Sequence, residues 1–376
     1  MAESGQRNTS NDALWALAQT KLTNMRTRLQ MGIPYIATAH HYADVSAQHL
    51  GWWTNGFWIG MLWQLYGAEH DPEVAKQATQ LEARLDPLLA DFTALDHDVG
   101  FMWLNASVVG YRLTHDEAAR TRGLKAALVL ASRYNPVGRF IKAWNGADQQ
   151  GQLIIDCLMN LPLLHWATQE TGDPRFAQIA QAHAQTALKT LFRPDGSVAH
   201  IAVIDPATGE FVETLGGQGY AQGSSWSRGQ AWGIYGMALA YRDDQQPEFL
   251  AAAKRVANYF ISNVAMTGWV SSIDFRAPQT PQYWDTSATA IAVCGLLALA
   301  EQLPEAEARG YRQAATTMFD SLTTRFLDRD ATHDELLAKA SAKYHRESDR
   351  EVPIIYGDAF YLEALLRLRQ AASQIY

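Results

Sequence analysis

Residues 153–164 read LIIDCLMNLPLL and set one carboxyl, Asp156, inside an apolar run. Taking an ionised carboxyl out of water costs several kcal/mol unless it is paired or neutralised, so Asp156 suits an acid–base group. A second carboxyl, Asp98 in LDHDVGF, follows His97; it reads equally as a helix cap and as chemistry. Trp53, Trp226, Arg228 and Trp232 stand beside Gly, Asn and Gln residues. Such a set gives a pocket flat apolar walls and polar edges, which suit a sugar ring, although any one tryptophan also suits a core. Asp285 in WDTS and Asp358 in YGDAF fit helix caps at least as well as chemistry. His183, on an amphipathic helix, reads as a surface residue. GGQG at 216–219 lacks the Gly-Lys-Ser/Thr ending of a phosphate loop, and no Cys or His set has metal-ligand spacing, so no metal is expected.

Positioning these residues falls to helices of two kinds. One is amphipathic: after Asp173-Pro174 the apolar positions Phe176, Ile179, Ala180, Ala184, Ala187, Leu188 and Leu191 form a stripe. The other is apolar nearly all round, as in SATAIAVCGLLALA from Ser287, and needs cover on every side. The kinds alternate through the junctions HDPEVA, THDEAA, GDPRFA, QQPEFL and LPEAEA, each with Asp, Pro or Glu where a helix starts. A lone hairpin cannot bury its apolar face, so six inner and six outer helices predict a closed (α/α)6 barrel, all-α and one domain over 1–376. Its inner helices would bring their polar starts to one mouth, gathering Trp53, His97, Asp98, Asp156, Trp226, Arg228, Trp232, Asp285 and Asp358. VAHIAVID and GEFVETL flank a turn and predict a β-hairpin insertion near 197–215.

The formal net charge is −8 and the basic residues are scattered singly, which argues against a nucleic-acid partner. No apolar run is long enough to span a bilayer and the first residues have no leader pattern, so a cytoplasmic location without membrane contact is expected. The two cysteines, Cys157 and Cys294, lie in apolar stretches and read as small buried hydrophobes.

Four segments, LDHDVGF, IIDCLMNLPLL, GSSWSRGQAWGIYG and YGDAFYLEALLRL, resemble the signature segments of the unsaturated glucuronyl hydrolases, glycoside hydrolase family 88, in the same order. The resemblance runs from about Trp53 to the C-terminus. It implies an (α/α)6 barrel without a cofactor; the chain is expected to be a monomer or homodimer. Its substrate would be a di- or oligosaccharide bearing a non-reducing-end 4,5-unsaturated uronic acid. It also implies that Asp156 is the general acid and base, that Asp98 is the second essential carboxyl, and that Trp53, His97, Trp144, His200, Gln218, Trp226, Arg228, Trp232 and Tyr344 line the substrate. A Ser-x-x-Ser-x-Lys cluster marks members that prefer sulfated disaccharides; here KYHRES stands instead, with Lys343, Arg346 and Ser348.

Such a reaction starts with proton delivery to C4, which needs a carboxylic acid. Burial among Ile154, Ile155, Cys157 and Leu158 is expected to raise the Asp156 pKa, with Asp98 and the uronate raising it further. Arg228 is expected to meet the uronate. Two other readings of the same residues are an ordinary inverting glycosidase, which would protonate the glycosidic oxygen, and a non-catalytic sugar-binding protein. A sugar epimerase would want paired inner-helix histidines, which the sequence does not offer.

Overall fold

The computed structural model describes residues 2–371 and 375–376, and side chains from residue 11 onward. In chain order the elements begin with helix α1 (Ala2–Leu29) and a hairpin of β1 (Pro34–Thr38) and β2 (His41–Asp44). Next come α2 (Asn55–Glu69), α3 (Pro72–Arg84), the short α4 (Asp86–Ala90) and α5 (Val99–Trp103), which continues through a π turn at Leu104–Val108 into α6 (Val109–Thr114). After α7 (Glu117–Ser132) follow β3 (Tyr134–Asn135), β4 (Phe140–Ile141) and β5 (Gln152–Ile154), then a 3-10 turn at Ile155–Met159. The rest is α8 (Leu161–Thr171), α9 (Pro174–Leu191), β6 (Ile201–Ile204), β7 (Phe211–Leu215), α10 (Ser227–Asp244), α11 (Pro247–Ala265), α12 (Thr286–Glu301), α13 (Glu305–Arg325) and α14 (Ile355–Leu368).

Helices α2, α5–α6, α8, α10, α12 and α14 pack side by side in that order, and α14 closes on α2. Outside them lie α3, α7, α9, α11, α13 and, against α14, the N-terminal α1. This is the expected (α/α)6 barrel, and α1 supplies the sixth outer helix. The repeated junction has a local cause. Four inner helices end on a left-handed residue, His70, His115, Gly172 or Gln245. At three of them an Asp then caps the outer helix: Asp71, Asp116 and Asp173 accept the N–H of Glu73, Ala118 and Arg175 at 2.9–3.0 Å. One apolar cluster runs from Leu14 to Tyr376, and both cysteines lie within it as free thiols.

The expected hairpin is β6 and β7, paired antiparallel, and β5 extends it to three strands. One expectation fails. His183 is fully buried, because the β3–β4 hairpin covers its face of α9 and Ile141 N–H donates to its Nδ1 at 2.9 Å. Among the described residues no helix is long and apolar enough to cross a membrane.

Candidate active site

The three-stranded sheet sets the first half of the site. Register pairs Ile154 with Ile201, and Ile155 N–H donates to the His200 carbonyl at 3.0 Å, so the residues flanking that pair, Asp156 and His200, are brought face to face. His200 Nε2 lies 3.5 Å from Asp156 Oδ2, without hydrogen-bond alignment. His200 Nδ1 accepts the Gln218 backbone N–H at 3.0 Å, which assigns the ring proton to Nε2, toward the carboxyl. Gly217 makes that contact possible. Its φ is +60°, and a Cβ there would fall 1.8 Å from His200 Nδ1.

The structure overturns the expected acidity of Asp156. Burial does push its carboxyl up, but the His200 contact and the electrostatic pull of His200, the Arg228 guanidinium and His97 outweigh burial and hold it below the usual carboxylate range. The raised carboxyl is Asp98. Burial, then the charges of Asp96 and Asp156, push it well above that range.

Asp98 starts α5 as a second His–Asp arrangement. His97 Nε2 lies 3.4 Å from Asp98 Oδ1, and the Asn160 amide Nδ2 lies 3.3 Å from His97 Nδ1 and 3.5 Å from the same carboxyl oxygen. Asn160 Oδ1 accepts Phe101 N–H at 2.7 Å, so its amide is oriented with the NH2 toward His97 and Asp98. His97 is fully buried, and burial pushes it down to about 3, which keeps the ring neutral. Trp144 stands edge-on to His97 with centroids 6.4 Å apart.

Around these dyads the remaining expected residues divide. Trp226 lies on His200 at 4.4 Å, Gln218 ties its side chain to the Ala342 carbonyl at 2.7 Å, and Tyr344 N–H donates to the Gln218 carbonyl at 3.0 Å. Trp53 is half-buried against Phe101 and Tyr356. Trp232 is fully buried, its ring packed against Phe101 and Phe360. Arg228 is also buried rather than an open arm. Its guanidinium lies over Trp226 and Tyr356, and its Nη atoms are spent on the Ser341 and Ala342 carbonyls and Asp285, leaving only Nε without a partner among the described residues. Asp285 caps α12 through Ser287 and Ala288, and Asp358 joins α14 to Leu337 N–H and Tyr42 OH; both are structural. Asn160 and Tyr356 were missed. The only sequence signal for Asn160 was a polar residue four positions after Asp156 in an apolar run.

Two His–Asp pairs, one at the start of α5 and one between the turn ahead of α8 and the residue before β6, lie beside aromatic rings within an (α/α)6 barrel. Residues 29–368 match the model for Glycosyl Hydrolase Family 88, and the chain belongs to that family. It is 39% identical to an unsaturated glucuronyl hydrolase of Bacillus sp. (strain GL1), over 85% of this chain and 87% of the relative. It is 36% identical to an unsaturated chondroitin disaccharide hydrolase of Streptococcus pyogenes serotype M1, over 84% and 80%. Among solved structures, the Bacillus sp. GL1 unsaturated glucuronyl hydrolase superposes with a TM-score of 0.89 at 35% identity, covering 99% and 98% of the two chains. A Streptococcus agalactiae variant complexed with dGlcA-GalNAc6S gives 0.84 at 31%, covering 98% and 94%.

Proposed function

We propose that this chain removes the non-reducing-end 4,5-unsaturated uronic acid from lyase-generated oligosaccharides by hydrating the C4=C5 double bond, with Asp156 as acid and then base. The observation that carries the reading is the Asp156–His200 pair beside a raised Asp98 in a member of this family. In the free site Asp156 is a carboxylate. A docked uronate adds a negative charge and excludes water, and both push the carboxyl up, so its acid form belongs to the substrate complex. Its proton goes to C4, the double-bond electrons form the new C–H bond, and the ring oxygen stabilises the cation left at C5. Asp156, a carboxylate again and held so by His200, takes a proton from the water that attacks C5. The resulting hemiketal opens and the neighbouring sugar leaves. Asp98, pushed toward its neutral form, can donate an O–H to a sugar hydroxyl. Trp226 and Trp53 suit the sugar's faces, with His97, Trp144, Gln218 and Tyr344 at its edges. The donor oligosaccharide fits a fragment of a glycosaminoglycan or a bacterial polysaccharide.

Turnover of a lyase-derived disaccharide in deuterium oxide tests this. The ultraviolet absorbance of the double bond should vanish, and NMR should find one carbon-bound deuterium at C4, on one face. Asp156→Asn should fold and lose at least ~100-fold in kcat, the scale of losing a positioned acid–base group. Release of sugar without label at C4 would replace hydration by ordinary glycosidic hydrolysis.

A further inference from the structure

On the flank where the β1–β2 hairpin meets the loop between α13 and α14, four side chains unrelated to the dyads converge. His40, Asp328, His333 and Glu335 each offer one nitrogen or carboxylate oxygen, and these atoms all lie within 4.8 Å of one another. His40 Nδ1 is 2.6 Å from Glu335 Oε1 and His333 Nδ1 is 2.8 Å from Asp328 Oδ2, while the two imidazoles stack 3.8 Å apart, 6° from parallel. Glu335 is 2% exposed, and its second oxygen, Oε2, has no partner among the described residues. A buried carboxylate oxygen without a donor is costly unless a cation or proton meets it.

We propose that these four residues form a structural binding site for one divalent transition metal of the zinc type, separate from the active site. Two imidazoles with two carboxylates match the ligand preference of zinc and its neighbours, whereas magnesium and calcium take oxygen ligands. The surroundings hold the donors in place as outer-shell partners do. Lys21, fully buried, binds Asp328 Oδ1 at 2.9 Å and the Glu335 carbonyl at 2.8 Å. It neutralises one carboxylate from the far side and leaves Oδ2 to the cluster. Asp334 donates its N–H to the His40 carbonyl at 3.0 Å and accepts Tyr42 N–H at 2.7 Å, fixing the turn that carries His40. The ion would clasp the N-terminal hairpin to the loop ahead of α14, where Ile36 already bridges Ile354. Sequence spacing hides such a site, because His40 stands 295 positions from Glu335.

The test uses the full chain stripped of metal by a chelator and titrated with Zn2+ against a chromogenic competitor. One zinc per chain should bind with a Kd of micromolar or tighter and raise Tm. Both effects should be lost in His40→Ala and in His333→Ala, and affinity should fall at least tenfold in Glu335→Gln, with kcat within twofold of the parent in each. Co2+ loaded into the unaltered chain should show the visible absorption of a four-coordinate nitrogen–oxygen site, a readout that does not depend on any variant folding. Absence of stoichiometric zinc, or zinc retained by the His40→Ala/His333→Ala double variant, would overturn the proposal and leave a hydrogen-bonded clasp around Lys21.

Discussion

Asp98 and Asp156 meet opposite environments: one is charged against a facing imidazole, the other is pressed toward neutrality by burial and by the charge of the first. Separation of this kind divides labour between two carboxyls at one pH. Asn160 controls the second of them. Its amide lowers the Asp98 pKa, working against burial, while it orients His97. Asn160→Ala should therefore raise the Asp98 pKa further and carry the alkaline limb of kcat/KM to higher pH, with kcat down roughly tenfold or more. An unmoved limb beside a lower Tm would make Asn160 merely structural. Asp156 stood out in the sequence because a charge in apolar surroundings needs a reason, whereas Asp98 read equally as a cap, and the substrate-site role of His97 came from the family resemblance. A neutral amide carries no such signal, and the partners of Asn160 lie 59 to 63 positions away. His183 was misread because a histidine on an outer helix reads as polar, although its helical neighbours Ala180, Ala182, Ala184 and Ala187 are buried and the β3–β4 hairpin covers it. The depressed Asp156 could not be read either, because the partner that reverses the effect of burial comes from the far side of a strand pairing.

Five of the six helix pairs were legible because each of their junctions repeats the same local chemistry, a chain reversal followed by a cap or a proline, whereas α14 takes the distant α1 as its outer partner. The 3-10 turn under Asp156 was not, since five residues cannot separate a period of 3.0 from 3.6. That turn lies close to α5. A Cβ on Gly100 would sit 2.4 Å from Asn160 Cβ and 2.6 Å from its Cα, closer than atoms can approach. Gly100→Ala should push the Asn160 backbone away from α5, lowering Tm and cutting kcat more than tenfold by separating the two dyads. Gly310, mid-helix in the outer α13, is the control: nothing lies within 4 Å of its Cβ position. Gly310→Ala should leave kcat alone and stabilise by about 0.5–1 kcal/mol, the helix preference of alanine over glycine. Equal loss of activity in both variants would mean that the close approach at Gly100 does not govern the site.

Across the whole barrel, buried ionisable groups set how stability follows pH. Burial pushes Glu82 up to about 8 and Asp244 and Asp358 up to about 7, from ordinary values of 4.5 and 3.8. Between those limits the folded chain holds protons that the unfolded chain has released, so this stability is full below the ordinary values and is lost progressively as pH rises from about 4 to 7 or 8. Burial pushes His97 and His183 down to about 3 from 6.5, and the sign reverses: the unfolded chain takes up protons below 6.5, so stability falls as pH falls. From about pH 4.5 to 6.5 the three carboxyl protons held by the folded chain outweigh the two taken up by the unfolded histidines, so Tm should peak near pH 4 and fall on the alkaline side, more steeply above 6.5. Glu82 reaches furthest on the alkaline side. Its Oε1 accepts Trp63 Nε1–H at 2.9 Å, and its neighbour Arg122 is already paired with Asp86. Glu82→Gln keeps an acceptor for Trp63 and removes the ionisation. Its Tm should match the parent's near pH 4, and the parent's loss of roughly 1–3 °C between pH 6.5 and 8 should shrink in the variant. Thermal melts by circular dichroism at one scan rate give both slopes, and parallel slopes would show that Glu82 is already ionised in the folded barrel at pH 6.5.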